Sequence, residues 1–256
     1  MEVVSSLANL FFPSPCRICR EMLPGITRVP ICQECWQHVE PVPARGQCSL
    51  CGLPVEGDLA ELPNFRCSDC VQHPPSFDLA RSYGVYGGAL RDLVHLLKYQ
   101  GMTPLAGRLG MLMLEATQRP DCAQAYAACD AVVALPLDPE RRRQRGYNQA
   151  ELLAREVAGG LRLPLWPEAC RRIRSTSPQA GLSRPQRHAN VKGAFSAEAA
   201  RVADKTILLV DDVMTTGATL SACARALFQA GASRILALTL ARTAEPFQNT
   251  PADSGV

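Results

Sequence analysis

The chain reads as an α/β protein: a parallel sheet flanked by helices, with a small cysteine-rich metal module in front of it. Three observations predict this. Beyond residue 77, short apolar runs alternate with amphipathic segments of helical length, the pattern of βαβ units. Eight cysteines fall in four Cys-x-x-Cys pairs within the first 70 residues. An apolar run at 207–210 leads through two aspartates into a hydroxyl-rich turn that opens a helix. The 256 residues suffice for a metal module and one α/β domain. The expected division is 1–75 for the module with a short leading helix, 76–243 for the α/β domain and 244–256 for a disordered tail.

The chain opens with Met1 to Phe12, which lacks a basic start and a small-residue cleavage site, so export is not expected. Phe11 and Phe12 suit a short helix docking on its own protein. Every apolar run is much shorter than the roughly 20 residues a bilayer demands, so no membrane association is expected and the compartment read from the sequence is the cytoplasm.

The pairs Cys16 and Cys19, Cys32 and Cys35, Cys48 and Cys51, and Cys67 and Cys70 imply metal. Each Cys-x-x-Cys turn holds two thiolates about 4 Å apart, and two turns supply the tetrahedral sulfur set that Zn²⁺ prefers. Two structural zinc sites follow. Sequential pairing puts Cys16, Cys19, Cys32 and Cys35 on one ion and Cys48, Cys51, Cys67 and Cys70 on the other, and a cross-braced exchange stays open. The spacing resembles a double zinc ribbon. His38 and His73 lie near these pairs, but four thiolates already complete each sphere. Closed Cys₄ sites have no open position for chemistry, so catalysis belongs elsewhere. Cys122, Cys129, Cys170 and Cys223 are unpaired by spacing and read as small buried apolar residues.

In the α/β region, Phe77 to Tyr86 alternates and reads as a strand pair, Ala89 to Tyr99 as an amphipathic helix and Pro104 to Arg119 as a second helix. Ala131 to Leu135 is a strand, Gln149 to Ala158 a helix stopped by Gly159 and Gly160, and Arg234 to Leu240 a strand.

The most informative stretch is Ile207 to Thr219. Its apolar run 207–210 suits a strand covered on both faces, with Asp211 and Asp212 at its carboxyl end, where open α/β sheets bind ligands. Thr215, Thr216, Gly217, Ala218 and Thr219 then turn the chain into a helix running to about Ala230. Amides without intrahelical partners and the positive helix end favour a phosphate there. The two carboxylates repel a phosphate but accept well from ribose hydroxyls, so the combination describes a ribose 5-phosphate cradle. An ordinary Rossmann-like turn with capping aspartates is the plainer alternative. A Walker phosphate loop is excluded, because no Gly-Lys-Ser/Thr ending occurs.

Formal net charge is +3, yet residues 141–192 hold twelve Lys/Arg against three Glu, leaving the rest net acidic. The basic residues fall on two apparent loops, Asp138 to Asn148 and Arg171 to Phe195, both expected to overhang the crevice. Guanidinium groups suit pyrophosphate oxygens, though only some of Arg141, Arg142, Arg143 and Arg145 can point inward.

The 207–219 stretch resembles the 5-phosphoribosyl 1-pyrophosphate (PRPP) motif of type I phosphoribosyltransferases: four apolar residues, two acidic, then a Thr/Gly-rich loop. Leu135-Pro136-Leu137, Arg145-Gly146-Tyr147-Asn148-Gln149-Ala150, Gln179-Ala180, Arg187, Asn190 and Gly193-Ala194-Phe195 together resemble the ComF family, which includes GntX. The likeness covers Leu7 to Arg242, with Tyr147 where many members have Phe. It implies a double zinc ribbon ahead of a type I phosphoribosyltransferase-like sheet. It further implies that Pro136 and Leu137 begin a pyrophosphate loop and that Gln179 to Phe195, with Arg184, Arg187 and Asn190, is a lid. Lys98 and Tyr99 also match a family position, where Lys98 either reaches the leaving group or faces its own helix dipole.

The expected chemistry is displacement at the anomeric carbon of PRPP with Mg²⁺ neutralising pyrophosphate. Asp211 and Asp212 would hold the ribose hydroxyls, Arg145 and lid arginines the pyrophosphate, and the lid would exclude water. No general base and no acceptor are identifiable. The other class of function is a non-catalytic PRPP- or nucleotide-binding accessory, or one that meets single-stranded DNA and partner proteins through the ribbons, in keeping with the family's link to competence. Between Arg141 and Phe195 only Tyr147, Trp166 and Phe195 interleave with the basic residues, which is weak support for base stacking.

Overall fold

The computed structural model describes residues 14–43, 45–55, 64–176 and 181–244. The expectations for the leading helix before Ser14, for Gln179 and Ala180, and for the tail beyond Ala244 lie outside the described residues.

The ribbons carry two one-turn helices, α1 (Gln33–Gln37) and α2 (Ser68–Gln72). The α/β region follows in chain order as β1 (Leu79–Val85), α3 (Gly88–Tyr99), α4 (Leu105–Thr117), α5 (Ala123–Ala127), β2 (Ala131–Ala134), α6 (Pro139–Arg145) and α7 (Gln149–Leu161). It continues through β3 (Cys170–Arg172), α8 (Arg184–Val191), β4 (Phe195–Ala197), α9 (Ala199–Val202), β5 (Thr206–Met214), α10 (Ala218–Gln229) and β6 (Arg234–Arg242).

Strands β1, β6, β5 and β2 form a parallel sheet in that order. Its central strands are buried along almost their whole length, which is why 207–210 is continuously apolar and 235–241 is apolar but for Thr239, rather than alternating. Helices α4 and α7 pack on each other and on the sheet, while α10 packs on β5 and β6 together with the small antiparallel β3–β4 pair. A Cβ at Gly110 would lie 2.3 Å from Glu156 Cβ, so glycine is what lets α4 and α7 approach this closely.

Both sheet edges are covered. Along β2, Val132 exchanges backbone hydrogen bonds with the 164–166 segment. Along β1, the Ala80 amide donates to Leu50 O at 2.7 Å and the Val42 amide to Tyr83 O at 2.6 Å, so the second ribbon caps an edge that would otherwise be open for pairing.

Five sequence expectations change. Phe77 to Tyr86 is one buried strand, not a pair: Arg81 and Ser82 mimic a solvent face, but Arg81 is paired with Asp121 at 2.6 Å and Ser82 with Thr239 at 2.6 Å. The 138–148 segment is not a loop but contains α6, started by Asp138 as N-cap and Pro139 in the first turn. Among the described residues of 171–195, β3, α8 and the start of β4 are regular elements, with β3 and β4 paired. Helix α7 runs through Gly159 and Gly160 and ends at Arg162, whose φ of 57° supplies the left-handed cap. Finally, β5 continues to Met214, so Asp211 and Asp212 lie within the strand rather than beyond it. No described helix is long and apolar enough to cross a membrane.

Candidate sugar-phosphate crevice and zinc clusters

The carboxyl-terminal half of β5 opens into a cavity of about 830 Å³. Asp211 and Asp212, consecutive in β5, both line it. Asp212, 4% exposed, receives the Lys98 ammonium at 3.0 Å on Oδ1, while its buried Oδ2 has no hydrogen-bond partner among the described residues. Lys98 comes from the last turn of α3, and Tyr147 donates to the neighbouring Leu97 carbonyl, fixing that helix end to the chain just before α7. Of the two sequence readings for Lys98, neither describes its observed partner: the ammonium serves Asp212.

Burial pushes the Asp211 carboxyl well above the usual carboxylate range, and the Asp212 charge adds to this, with Lys98 opposing both. Burial works against the Lys98 charge as well, but Asp212 and Asp211 together outweigh it and hold the ammonium above its ordinary value. The three groups form one coupled unit, 2− and 1+ when fully ionised.

The turn after Met214 is built as the composition predicts. Gly217 adopts φ 73° as the N-cap of α10, a backbone that L side chains rarely take, and Thr216 Oγ1 accepts from the Ala218 amide at 3.3 Å. Thr215 and Thr219 line the cavity. Arg187 from α8 donates to Thr215 Oγ1 at 3.2 Å and to Leu182 O at 3.0 Å, which ties the start of α8 to the turn. Burial holds the Arg187 guanidinium below its usual value.

Across the cavity, Leu135, Pro136 and Leu137 follow β2. Asn148 locks this segment twice, donating to Leu135 O at 3.0 Å and capping α7 through the Ala150 amide at 3.1 Å. Of the arginine run, Arg141 and Arg145 line the cavity with Gln144. Arg145 donates to Gln149 Oε1 and lies 5.4 Å over the Tyr99 ring. Arg142 turns away to Glu151 at 3.2 Å. Asn190 does not line the cavity, and its carbonyl accepts from Arg174 at 2.9 Å. Arg184 begins α8.

Sequence reasoning missed Arg172 and Tyr86, which line the cavity together with Tyr99. Arg172 sits on β3, half-buried, 3.7 Å from Asp138, and joins the β3–β4 pair to the start of α6. Burial lowers the Arg172 guanidinium, while the Glu140 amide and Arg172 outweigh burial at Asp138 and hold its carboxyl below the usual range. Arg172 stood in the charge count, but nothing in a run of three basic residues within four positions singles it out.

The cysteine pairs converge as two clusters, Cys16, Cys19, Cys32 and Cys35 in one and Cys48, Cys51, Cys67 and Cys70 in the other, each with sulfurs within 4.8 Å of one another. This is the sequential pairing, and the cross-braced alternative falls. Sγ to Sγ separations of 3.8 Å for Cys16–Cys35, 3.5 Å for Cys19–Cys32 and 3.7 Å for Cys51–Cys67 match the edge of about 3.8 Å that a tetrahedron with Zn–S near 2.3 Å requires. Backbone amides of Cys32, Cys35 and Cys67 donate to cluster sulfurs at 3.4 Å, an outer shell suited to thiolates. The donor set fits two structural zinc ions. His38 and His73 are both exposed and stay out of the clusters. Of the other four cysteines, all buried, Cys170 and Cys223 meet at 3.3 Å, a proximity their spacing could not show.

The chain matches the double zinc ribbon domain family over residues 7–71 and the phosphoribosyl transferase domain family over residues 148–249. It is 32% identical over 234 residues to the DNA utilization protein YhgH of Salmonella typhimurium, covering 91% of this chain and 99% of that relative. It is 30% identical over 236 residues to Competence protein F of Haemophilus influenzae, covering 91% of this chain and 98% of the relative. The solved purine phosphoribosyltransferase of Pyrococcus horikoshii superposes with a TM-score of 0.32 at 14% identity, covering 59% of this chain and 93% of that one. The chain belongs to the ComF/GntX family, in which a double zinc ribbon precedes a phosphoribosyltransferase domain.

Proposed function

We propose that the cavity at the end of β5 binds PRPP with Mg²⁺ and that the protein transfers the phosphoribosyl group to an acceptor, in the cytoplasm and in the service of DNA utilisation or competence. The observation that carries this reading is Asp212: a buried carboxylate with one oxygen held by Lys98 and the other without a partner among the described residues. An idle buried acceptor of this kind is costly unless a ligand donor completes it, and a ribose hydroxyl is such a donor.

The remaining residues fit the rest of the molecule. The Thr215–Thr219 turn, opening onto α10, receives the 5-phosphate. Arg141, Arg145, Arg172 and Arg187 line the same cavity as Asp211 and Asp212, so its positive side suits a pyrophosphate rather than a second monophosphate. Mg²⁺ bound with the pyrophosphate would supply charge neutralisation on the leaving group, with Asp211 and Asp212 the carboxylates lining the cavity to meet it. As the bond to pyrophosphate breaks, the ring gains positive charge. Asp211 and Asp212 face that charge. The lid, resting on the turn through Arg187, keeps water from competing with the acceptor.

The test is calorimetric titration of zinc-loaded protein with PRPP and Mg²⁺, followed by assay of pyrophosphate release with candidate nucleophiles. Binding that is present in the wild type and lost in a folded Asp212→Asn variant supports the ribose clamp. Equal affinity in the two proteins overturns it. Pyrophosphate release that never exceeds the rate in water, with binding intact, would favour the binding-accessory class of function instead.

A further inference from the structure

Arg242 closes β6 and is 5% exposed, yet among the described residues no carboxylate pairs with it. Its donors go to the Cys51 carbonyl, to Thr243 O at 3.2 Å and to Cys51 Sγ at 3.5 Å. A guanidinium buried without an anion is expensive. The anion within reach is the thiolate cluster itself, since four thiolates on one divalent ion leave a net charge of two minus. Arg81, also buried, reaches the same knuckle, donating to Ser49 O at 3.3 Å. The first cluster differs: its recorded donors are backbone amides, no guanidinium donates to it among the described residues, and Cys19 is exposed.

Arg242 also stands beside the phosphate turn. It is the register partner of Met214, the residue before Thr215, and the Thr243 amide donates to Met214 O at 3.1 Å. Between the second cluster and the turn lies a space of only about 40 Å³, lined by Cys51, Cys67, Cys70, Met214, Gly217 and Arg242. That is room for about one water molecule, so the two sites share a wall.

We infer that Arg242 is a positioning residue that uses the second zinc–thiolate cluster as its counterion, and that this centre, not the first, holds the phosphate turn in its binding shape. Loss of the second zinc leaves a buried guanidinium facing free thiols, and Met214 to Thr219 loosen with it. The consequence for ligand affinity rests on the sugar-phosphate reading above. The mechanical coupling does not.

The experiment follows zinc release to a chelator with a metallochromic indicator, and in parallel amide hydrogen exchange of residues 214–219, in wild type, Arg242→Met and Arg242→Lys. In the wild type, zinc should leave in a fast phase and a slow phase, and exchange at 214–219 should rise with the slow phase alone. Arg242→Met should speed the slow phase at least tenfold, leave the fast phase unchanged and deprotect 214–219. Arg242→Lys, which keeps the charge but loses the planar fork, should fall between. Should Arg242→Met fail to fold, the lysine variant alone decides, with at least a threefold faster slow phase expected. Unchanged slow-phase release in the folded variants overturns the counterion role. Exchange at 214–219 that ignores the slow phase overturns the coupling. PRPP titration of the same proteins is read separately: a wild type that does not bind PRPP but shows zinc-dependent protection of 214–219 sinks the sugar-phosphate reading and leaves this inference standing.

Discussion

Replacing Lys98 by methionine keeps most of the aliphatic stem and removes one charge from the Lys98–Asp212–Asp211 group in the cavity at the end of β5. At 3.0 Å, the Lys98–Asp212 attraction is about 5 kcal/mol gross at an effective dielectric of about 20. Part of this repays the desolvation of Asp212, which is 4% exposed against 18% for Lys98. Removing the lysine leaves two neighbouring buried carboxylates with nothing to offset them, and a loss of roughly 3 kcal/mol is expected for breaking one side of such a pair. For a domain of this size that lowers Tm by roughly 6–12 °C. Asp212→Asn removes the facing charge, so the double variant Lys98→Met/Asp212→Asn should be markedly more stable than the two single losses added together. Urea unfolding of the zinc-loaded wild type and three variants gives the coupling energy, expected at about 2 kcal/mol or more. A Lys98→Met protein within about 0.5 kcal/mol of wild type, with a coupling near zero, would refute the claim that this pair organises the site.

Gly217→Ala should cost about 1 kcal/mol and weaken PRPP binding at least fivefold. The cost comes from φ 73° and not from crowding, since the nearest atom to an added Cβ is Met214 Sδ at 3.6 Å. Calorimetry beside thermal melting checks both, and unchanged affinity would count against the turn as the phosphate anchor. The pH dependence of binding follows from Asp211, whose folded pKa lies above its unfolded value. Its protonated form is favoured in the fold, so ionising it costs stability as pH rises through the folded pKa. If the ionised form holds the ribose, PRPP affinity falls as pH drops through that same value. Asp211→Asn should lose this slope while keeping the ligand's own titration, so identical profiles in the two proteins would contradict the assignment.

Much of the site was legible before any coordinates. The strand, the aspartate pair and the Thr/Gly turn are contiguous, so their chemistry follows from local order: a buried strand must end somewhere, and Gly217 marks where the backbone needs a left-handed residue. The Cys-x-x-Cys pairs are equally local, because a tetrahedral ion dictates short spacing. What misled was polarity read as exposure. Arg81 and Ser82 imitated an outward face in β1 because each has a partner distant in sequence. The arginine run hid α6, although Asp138 and Pro139 carried an ordinary start signal.

By itself, then, the sequence determined the α/β class, the two cysteine clusters and the Thr/Gly turn after β5, since each depends on periodicity or on residues a few positions apart. Only the tertiary structure decided which charges meet. Lys98 reaches Asp212 across more than a hundred residues, Arg172 reaches Asp138 from β3, and Arg242 reaches Cys51 from the far end of the chain. The reason is physical: a charge has no periodicity, and a buried charge takes whichever partner the packing of the sheet and its covered edges brings within a few ångströms.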